Sequence, residues 1–478
     1  MSQQRKRVLV GLVVALLLRL AFGLGYWIDK PLTHDEQEYV MLAQNLRAGN
    51  GLVYDDDGRQ HFGRAPGYPV FMAAVLSVWD DARAIRVAQA ILGALTVLVI
   101  GALAAQAWGG RAGLLALWLA ALYPPLVWMP AYLLSETLYS LLILSSALVF
   151  WKALEPARGG RDRHGGANEP TKASPEREDA SGSAGTGTTG GDVATRSSGF
   201  LLAGLLIGAA ALARPVALPF LGLAVLLVLI RRNPRAAVGL LLGAVLVIAP
   251  WTAWKSHDAG KFVLIASEGG ITFWTGNNPL AIGEGDLAAN PAMKLHNQQI
   301  REQHPDLGPD QLEQIYNREA VEFITRHPLQ WSWLTVKKLF YTWVPIGPSY
   351  LLHSPRFLYG TWLSYLSVLP FALLGWWTLA RRRRPQPWVM WLLIGSVLAI
   401  NLVFFPQERF RVPVLDPMLL VGAAVWLQGA PWLAHSKLGT WLLGSKEDRL
   451  APPVLDRRPA PGAALSPASQ EDQAPPGG

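Results

Sequence analysis

Three stretches of the sequence put ionisable side chains beside long apolar runs. The first is Pro31-Leu32-Thr33-His34-Asp35-Glu36-Gln37-Glu38-Tyr39, followed by Arg64-Ala65-Pro66-Gly67-Tyr68-Pro69. Acidic groups just beyond one apolar run, with a basic group at the entry to the next, make a candidate site at a lipid surface. Asp35 and Glu36 also suit the start of a short helix running through Leu46, because carboxylates are favoured at helix N-termini. The two readings are compatible. The second stretch is Tyr132-Leu133-Leu134-Ser135-Glu136-Thr137. A carboxylate in or near hydrocarbon is costly and faces a protein interior or a water-filled cavity, so Glu136 either serves a site or partners an arginine. The third is Phe405-Pro406-Gln407-Glu408-Arg409-Phe410-Arg411-Val412-Pro413. Two guanidiniums, Arg409 and Arg411, would hold a phosphate or pyrophosphate by forked, charge-assisted hydrogen bonds. The alternative for them, and for Lys337 and Lys338, is plain contact with lipid headgroups.

Two further arginines interrupt apolar sequence. Arg214, in an Arg-Pro break, either neutralises a lipid phosphate or snorkels to the interface. Arg19 lies mid-way along the first apolar run, where a central arginine costs about 2.5–3.5 kcal/mol to insert. That cost predicts a partner, either a carboxylate such as Glu136 or an anionic ligand, and a structural ion pair with Glu136 is the expectation. Other signals are weaker. Asp55-Asp56-Asp57-Gly58 reads as a turn. His34, His61, His296 and His304 have no spacing typical of a metal site. Thr275-Gly276-Asn277-Asn278-Pro279 is turn chemistry that could shape an acceptor pocket. A Walker-type phosphate loop and a dinucleotide fingerprint are both missing, which argues against a soluble nucleotide-sugar or ATP site. The sequence has no cysteine, so disulfides, thiolate nucleophiles and Cys-based metal sites are excluded.

The elements that must position these residues are membrane helices. Of the 478 residues, 51% are apolar and 16% charged, against roughly 25% charged in soluble proteins. Many apolar runs reach the roughly 17–25 residues that cross a bilayer, giving an all-α polytopic protein with about ten transmembrane helices. The spans fall at about 8–28, 84–107, 112–130 (broken at Pro124-Pro125), 132–152, 199–213, 215–230, 237–254, 358–380, 388–405 and 412–429. The first is read as a retained span, being too long for a signal-peptide core. The net charge of +8 sits at the ends of apolar runs, which is a topology signal rather than a nucleic-acid face. Arg5-Lys6-Arg7, the RRNPR at 231–235 and the RRRR at 381–384 mark the cytoplasmic side. The polar loops within 29–80 and 255–357 then face outward, with 66–79 and 334–352 as interfacial segments. Residues 155–198 have almost no large apolar side chain, and the tail 431–478 is rich in Pro and Ala; both are expected to be disordered on the cytoplasmic side. The organisation is thus 1–154, 155–198, 199–254, 255–357, 358–430 and 431–478.

The order of these motifs resembles bacterial members of glycosyltransferase family 39, the protein O-mannosyltransferases and aminoarabinose transferases. It is carried by the Asp-Glu pair with Tyr39, RAPGYP, LYPPLVWMPAYLLSETLY, Arg-Pro, ITFWTGNNPLAIGEG and ERFRVPVLDP. The likeness runs over about residues 8–429 and fails in the 155–198 loop and the tail. It implies a GT-C glycosyltransferase fold in the inner membrane with its active site toward the periplasm. It further implies a polyprenyl-phosphate sugar as donor and a lipid, glycan or protein hydroxyl as acceptor, with no cofactor and metal dependence left open. On that resemblance Asp35 matches the acidic candidate for general base, with Glu36 beside it and Glu136 as a second acidic position. Arg64 matches a basic residue near the carrier phosphate, and Arg214, Arg409 and Arg411 are further phosphate ligands. One base and one displacement imply inversion at the anomeric carbon. The competing classes are a polyprenyl-linked lipid flippase or transporter, and a scaffold without catalysis. Charges gathered at the outer surface, rather than at the bilayer midplane, favour interfacial chemistry.

Overall fold

The computed structural model describes residues 3–54, 63–155, 190–285, 289–307, 309–344, 355–381 and 387–443. The Asp55-Gly58 string, His61, Arg382-Arg384, most of the 155–198 loop, residues 345–352 and most of the tail lie outside the described residues. Among the described residues every regular element is helical. In chain order these are α1 (Gln3–Leu20, prolonged by a π-helical stretch Ala21–Tyr26), α2 (His34–Ala48), α3 (Gly67–Val78), α4 (Ala82–Trp108), α5 (Gly110–Leu122), α6 (Pro124–Trp128) and α7 (Glu136–Leu154). They continue with α8 (Gly190–Ala213), α9 (Leu218–Ile230), α10 (Pro234–Ala259), α11 (Gly269–Gly276), α12 (Pro291–Gln303), α13 (Pro309–Arg326) and α14 (Pro328–Trp343). The last are α15 (Pro355–Arg381), α16 (Trp388–Val403), α17 (Glu408–Arg411), α18 (Leu415–Leu427), α19 (Pro431–His435) and α20 (Lys437–Leu443).

Five of these, α1 with its extension, α4, α7, α10 and α15, are long and apolar enough to cross a membrane. The pair Gly110–Leu122 and Pro124–Ala131 makes a sixth if its 66° bend is one broken span. Shorter apolar helices occupy the other expected runs, including α3. The chain is a multi-pass membrane protein. Close backbone approach holds the bundle together, since lipid tails supply no hydrophobic drive between helices. A Cβ on Gly204 would stand 2.2 Å from the Leu240 carbonyl oxygen, and one on Gly243 would stand 2.3 Å from that of Leu201, so α8 and α10 cross nearly backbone to backbone.

The break at Pro124-Pro125 also explains Arg19. Prolines have no N–H, so the carbonyls four residues earlier, Ala120 and Ala121, lose their helical donors. Arg19 supplies them instead: Nη2 donates to Ala120 O at 3.3 Å, and Nη1 to Ala121 O at 3.4 Å and Ala15 O at 2.9 Å. The expected Arg19–Glu136 ion pair is not formed. Orphaned carbonyls, rather than a carboxylate, meet the buried guanidinium.

Two polar loops meet at one end of the bundle. In the first, α2 and α3 pack Tyr39, Leu42, Tyr68, Met72 and Leu76 against Ile85 and Leu133. In the second, α11, α12 and α13 close a small core around Trp274, Met293, Ile300, Tyr316 and Ala320. Gly276 lies so close to the chain after α16 that a Cβ there would stand 1.9 Å from Phe404 O. The second loop therefore sits directly on the 404–411 segment.

Candidate active site

Asp35 and Glu36 are adjacent on the first turn of α2, and about 100° of helix rotation separates their roles. Glu36 turns inward and is 1% exposed. It completes a capping box with Thr33: Thr33 N donates to Glu36 Oε2 at 2.8 Å, and Glu36 N donates to Thr33 Oγ1 at 3.4 Å. Its other oxygen accepts from Leu133 N at 2.8 Å. Both oxygens are thus committed to backbone, and Glu36 ties α2 to the turn before α7. Truncating it strands a buried N–H and removes the cap. Glu36→Ala is expected to lose about 1–3 kcal/mol of stability, read as a lower unfolding temperature in detergent. An unchanged unfolding temperature would contradict this role.

Asp35 faces the other way, 26% exposed, between two guanidiniums. Arg64 Nη2 donates to its Oδ1 at 2.9 Å, and Arg409 Nη1 to its Oδ2 at 2.6 Å. Burial alone would push this carboxyl up, but Arg409 and Arg64 together hold it well below the usual carboxylate range. Arg64 also pairs with Glu38, one turn along α2, and its guanidinium stands 5.1 Å over the Tyr39 ring. Arg64 Nε is buried without a hydrogen-bond partner and lies 3.8 Å from Glu268 Oε2. Glu268 comes from the second polar loop, anchored by Ser267 N donating to Gly63 O at 2.8 Å. Burial pushes the Glu268 carboxyl up, against the pull of Arg64.

A second ion pair stands beside the first. Glu136, at the N-terminus of α7, pairs with Arg214 at the break after α8. Arg214 lies 5.0 Å from the centre of the Phe410 ring, and Arg409 lies 5.3 Å from the same centre. Phe410 thus links the two guanidiniums through their attraction to its π-face. Asp35, Arg64, Glu136, Arg214 and Arg409 therefore form one constellation, drawn from five separate parts of the chain.

Arg411 does not join it. Its Nε donates to Asp416 Oδ1 at 2.8 Å, Tyr123 OH donates to Asp416 Oδ2 at 3.1 Å, and the Arg411 side chain is 3% exposed. Arg411 is a buried anchor for the loop, not a group facing a ligand. Lys338 is likewise buried, donating to Asn277 Oδ1 at 2.9 Å and Leu402 O at 3.1 Å, so it does not reach the arginine surface. Asn277 also donates to Val403 O at 2.8 Å, and Asn278 donates to Trp274 O at 2.7 Å. These asparagines seat the second loop rather than open a pocket.

No family model and no curated protein matches the chain. Solved structures do. AglB, the archaeal oligosaccharyltransferase from Archaeoglobus fulgidus in complex with an inhibitory peptide and a dolichol-phosphate, is similar at 15% identity and a TM-score of 0.47, over 92% of this chain and 52% of that one. The Archaeoglobus fulgidus oligosaccharyltransferase in complex with Zn and sulfate gives 15% and 0.49, over 91% and 50%. ArnT from Cupriavidus metallidurans bound to undecaprenyl phosphate gives 15% and 0.41, over 91% and 77%. The chain spans about half the length of the oligosaccharyltransferase. Likeness at this level assigns no residue roles, so those are argued from the site's own geometry.

Glu38 and Glu268 belong to the constellation although sequence reasoning did not single them out. Glu38 had a readable signal, because residues three and four apart share a helix face and so stand with His34 and Asp35. Glu268 had none, being brought in by tertiary docking alone. His34, Asp35 and Glu38 also gather their ligand atoms within 4.8 Å of one another, a spacing that a search for histidine pairs passes over. A divalent cation bound there would compete with Arg64 and Arg409, which already hold Asp35 and, through Arg64, Glu38.

Proposed function

We propose that the protein is a membrane glycosyltransferase of GT-C type. In this reading it moves a sugar from a polyprenyl-phosphate carrier to an acceptor hydroxyl, on the outer face of a bacterial inner membrane. The observation that carries the reading is the clamping of one carboxylate, Asp35, between Arg64 and Arg409 at the end of an apolar helical bundle. Two guanidiniums converging on one oxyanion suit a carrier phosphate, which is a diester in the donor and a monoester once the sugar has left. They come from opposite ends of the chain, and the fold brings them together.

The chemistry follows from the donor. The bond between the anomeric carbon and the phosphate oxygen breaks, and the carrier leaves as polyprenyl phosphate. Its developing charge is met by Arg64 and Arg409, so protonation of the leaving group is unnecessary. A new bond forms from the acceptor oxygen to the anomeric carbon, and the hydroxyl proton passes to Asp35. One displacement inverts the anomeric centre. In the resting protein Asp35 is a poor base, because both guanidiniums stabilise its ionised form. An arriving phosphate competes for those same donors. As Arg64 and Arg409 turn to it, the Asp35 carboxylate is released and gains basicity, so donor binding arms the base. Glu136, held by Arg214, orients the acceptor or tunes this field.

The mechanism has a pH signature. Asp35 in the free protein is depressed and stays ionised through the ordinary acid range. In the donor complex its carboxyl rises, so protonation disables it at a higher pH. The acid limb of kcat, which reports the complex, is expected at higher pH than the acid limb of kcat/KM, which reports free protein. Coincident limbs would contradict the release of Asp35 by donor. The function itself is tested by incubating purified protein with a panel of polyprenyl-phosphate sugars and following sugar transfer or hydrolysis by mass spectrometry. Consumption of at least one donor is expected. Movement of the lipid across vesicles with the sugar retained would indicate a flippase instead.

A further inference from the structure

The loop that carries Arg409 is short, and its position is set from outside. At its far end Arg411 is fixed by the buried pair with Asp416. At its near end the contact is to Gly285 in the second polar loop. Gly285 N donates to Pro406 O at 3.3 Å, and Gly285 O accepts from Gln407 Nε2. The amide oxygen of the same Gln407 accepts from Arg409 Nε at 2.9 Å. Gln407 therefore spends its donor on the second loop and its acceptor on the guanidinium. Arg409, side chain 43% exposed, has one terminal nitrogen on Asp35 and its Nε on Gln407. A Cβ at position 285 would stand 2.0 Å from the Phe405 ring, so any larger residue there has to displace Phe405.

We infer that Gln407 is a positioning residue for the carrier phosphate, acting through Arg409, and that Gly285 is the fixed point against which it does so. The inference rests on the reading of Arg409 as a phosphate ligand. Without Gln407, Nε loses its acceptor, and once phosphate displaces Asp35 the guanidinium keeps neither of the two hydrogen bonds that orient it in the resting protein. The fork then has to be ordered at the moment of binding instead of beforehand. The second polar loop is in this way coupled to donor affinity, although it holds no phosphate ligand in this reading.

The test uses purified full-length protein and undecaprenyl phosphate as probe, with binding measured by titration. Four proteins are compared: wild type, Gln407→Met, Arg409→Ala and the double variant. Methionine keeps the volume and removes both hydrogen bonds. Gln407→Met is expected to weaken binding by about threefold to tenfold, in line with about 0.5–1.5 kcal/mol for the lost bonds. In the Arg409→Ala background the same substitution is expected to have no further effect, the non-additivity of two residues acting as a unit. A simple packing role would instead lower the unfolding temperature and multiply with Arg409→Ala. Should Gln407→Met fail to fold, Gly285→Ala, which displaces Phe405 and the 406–407 segment, carries the same expectation. Weakening by Arg409→Ala with wild-type binding by Gln407→Met, or multiplicative losses in the double variant, would overturn the inference alone. Wild-type binding by Arg409→Ala would overturn the phosphate reading beneath it.

Discussion

Asp35→Asn is expected to reduce turnover by about 10²–10⁴-fold, the usual worth of a general base, while donor binding is kept or tightened. The second half of that expectation sets it apart from an ordinary loss of function. Arg64 and Arg409 hold Asp35 at 2.9 and 2.6 Å, and in the proposed mechanism the donor phosphate competes with Asp35 for them. A neutral amide competes less well, so the donor meets freer guanidiniums. The signature is a collapse of kcat with a KM for donor that does not rise. A substitution that merely damaged the site would raise KM as kcat fell. Measurement of both parameters for sugar transfer, on protein whose unfolding temperature matches wild type, decides between them. Turnover equal to wild type would remove Asp35 from the chemistry.

The second large effect concerns the Glu136–Arg214 pair. Glu136 is 5% exposed and Arg214 is 16% exposed at the side chain. Removing one member of a buried pair leaves the other charge without compensation, at a cost of about 3–5 kcal/mol. Arg214→Ala is therefore expected to lower the unfolding temperature strongly. Replacing both residues by methionine removes both charges and is expected to recover most of that stability, since buried pairs are often no better than apolar replacements. Turnover is expected to stay low in the double variant if, as proposed, Glu136 held by Arg214 orients the acceptor or tunes the field at the site. An Arg214→Ala protein as stable as wild type would contradict the ion pair's structural weight. Full turnover in the double variant would reduce the pair to scaffolding.

Much of this architecture was readable because membrane helices are specified by composition over long windows. Apolar length fixes a span, and Arg-Pro or Pro-Pro fixes a break. The break at Pro124-Pro125 and the one after Arg214 both fall where the sequence puts them. The positions of Asp35, Arg64 and Arg409 at apolar boundaries were legible for the same reason. Partner choice was not. Arg19 was expected to find Glu136, but it serves the carbonyls of Ala120 and Ala121, and Glu136 is taken by Arg214. A buried guanidinium accepts any oxygen within reach, and which oxygen comes within reach depends on helix packing that no local pattern encodes. Arg411 illustrates the same limit. It is two residues from Arg409 on a single helical turn, so the two side chains point to different sides, one to the site and one to Asp416. Glu36 and Asp35 divide likewise, the capping-box geometry drawing Glu36 inward. Glu268 could be found only in three dimensions, because the docking of one loop on another brings it to Arg64.

The central claim is that a lipid phosphate takes Arg64 and Arg409 away from Asp35. A structure of the protein with undecaprenyl phosphate bound tests it directly. The account predicts phosphate oxygens about 2.7–2.9 Å from guanidinium nitrogens of both arginines, with the Asp35 carboxylate detached and open to an acceptor. A phosphate seated elsewhere, with Asp35 still gripped on both sides, would contradict it.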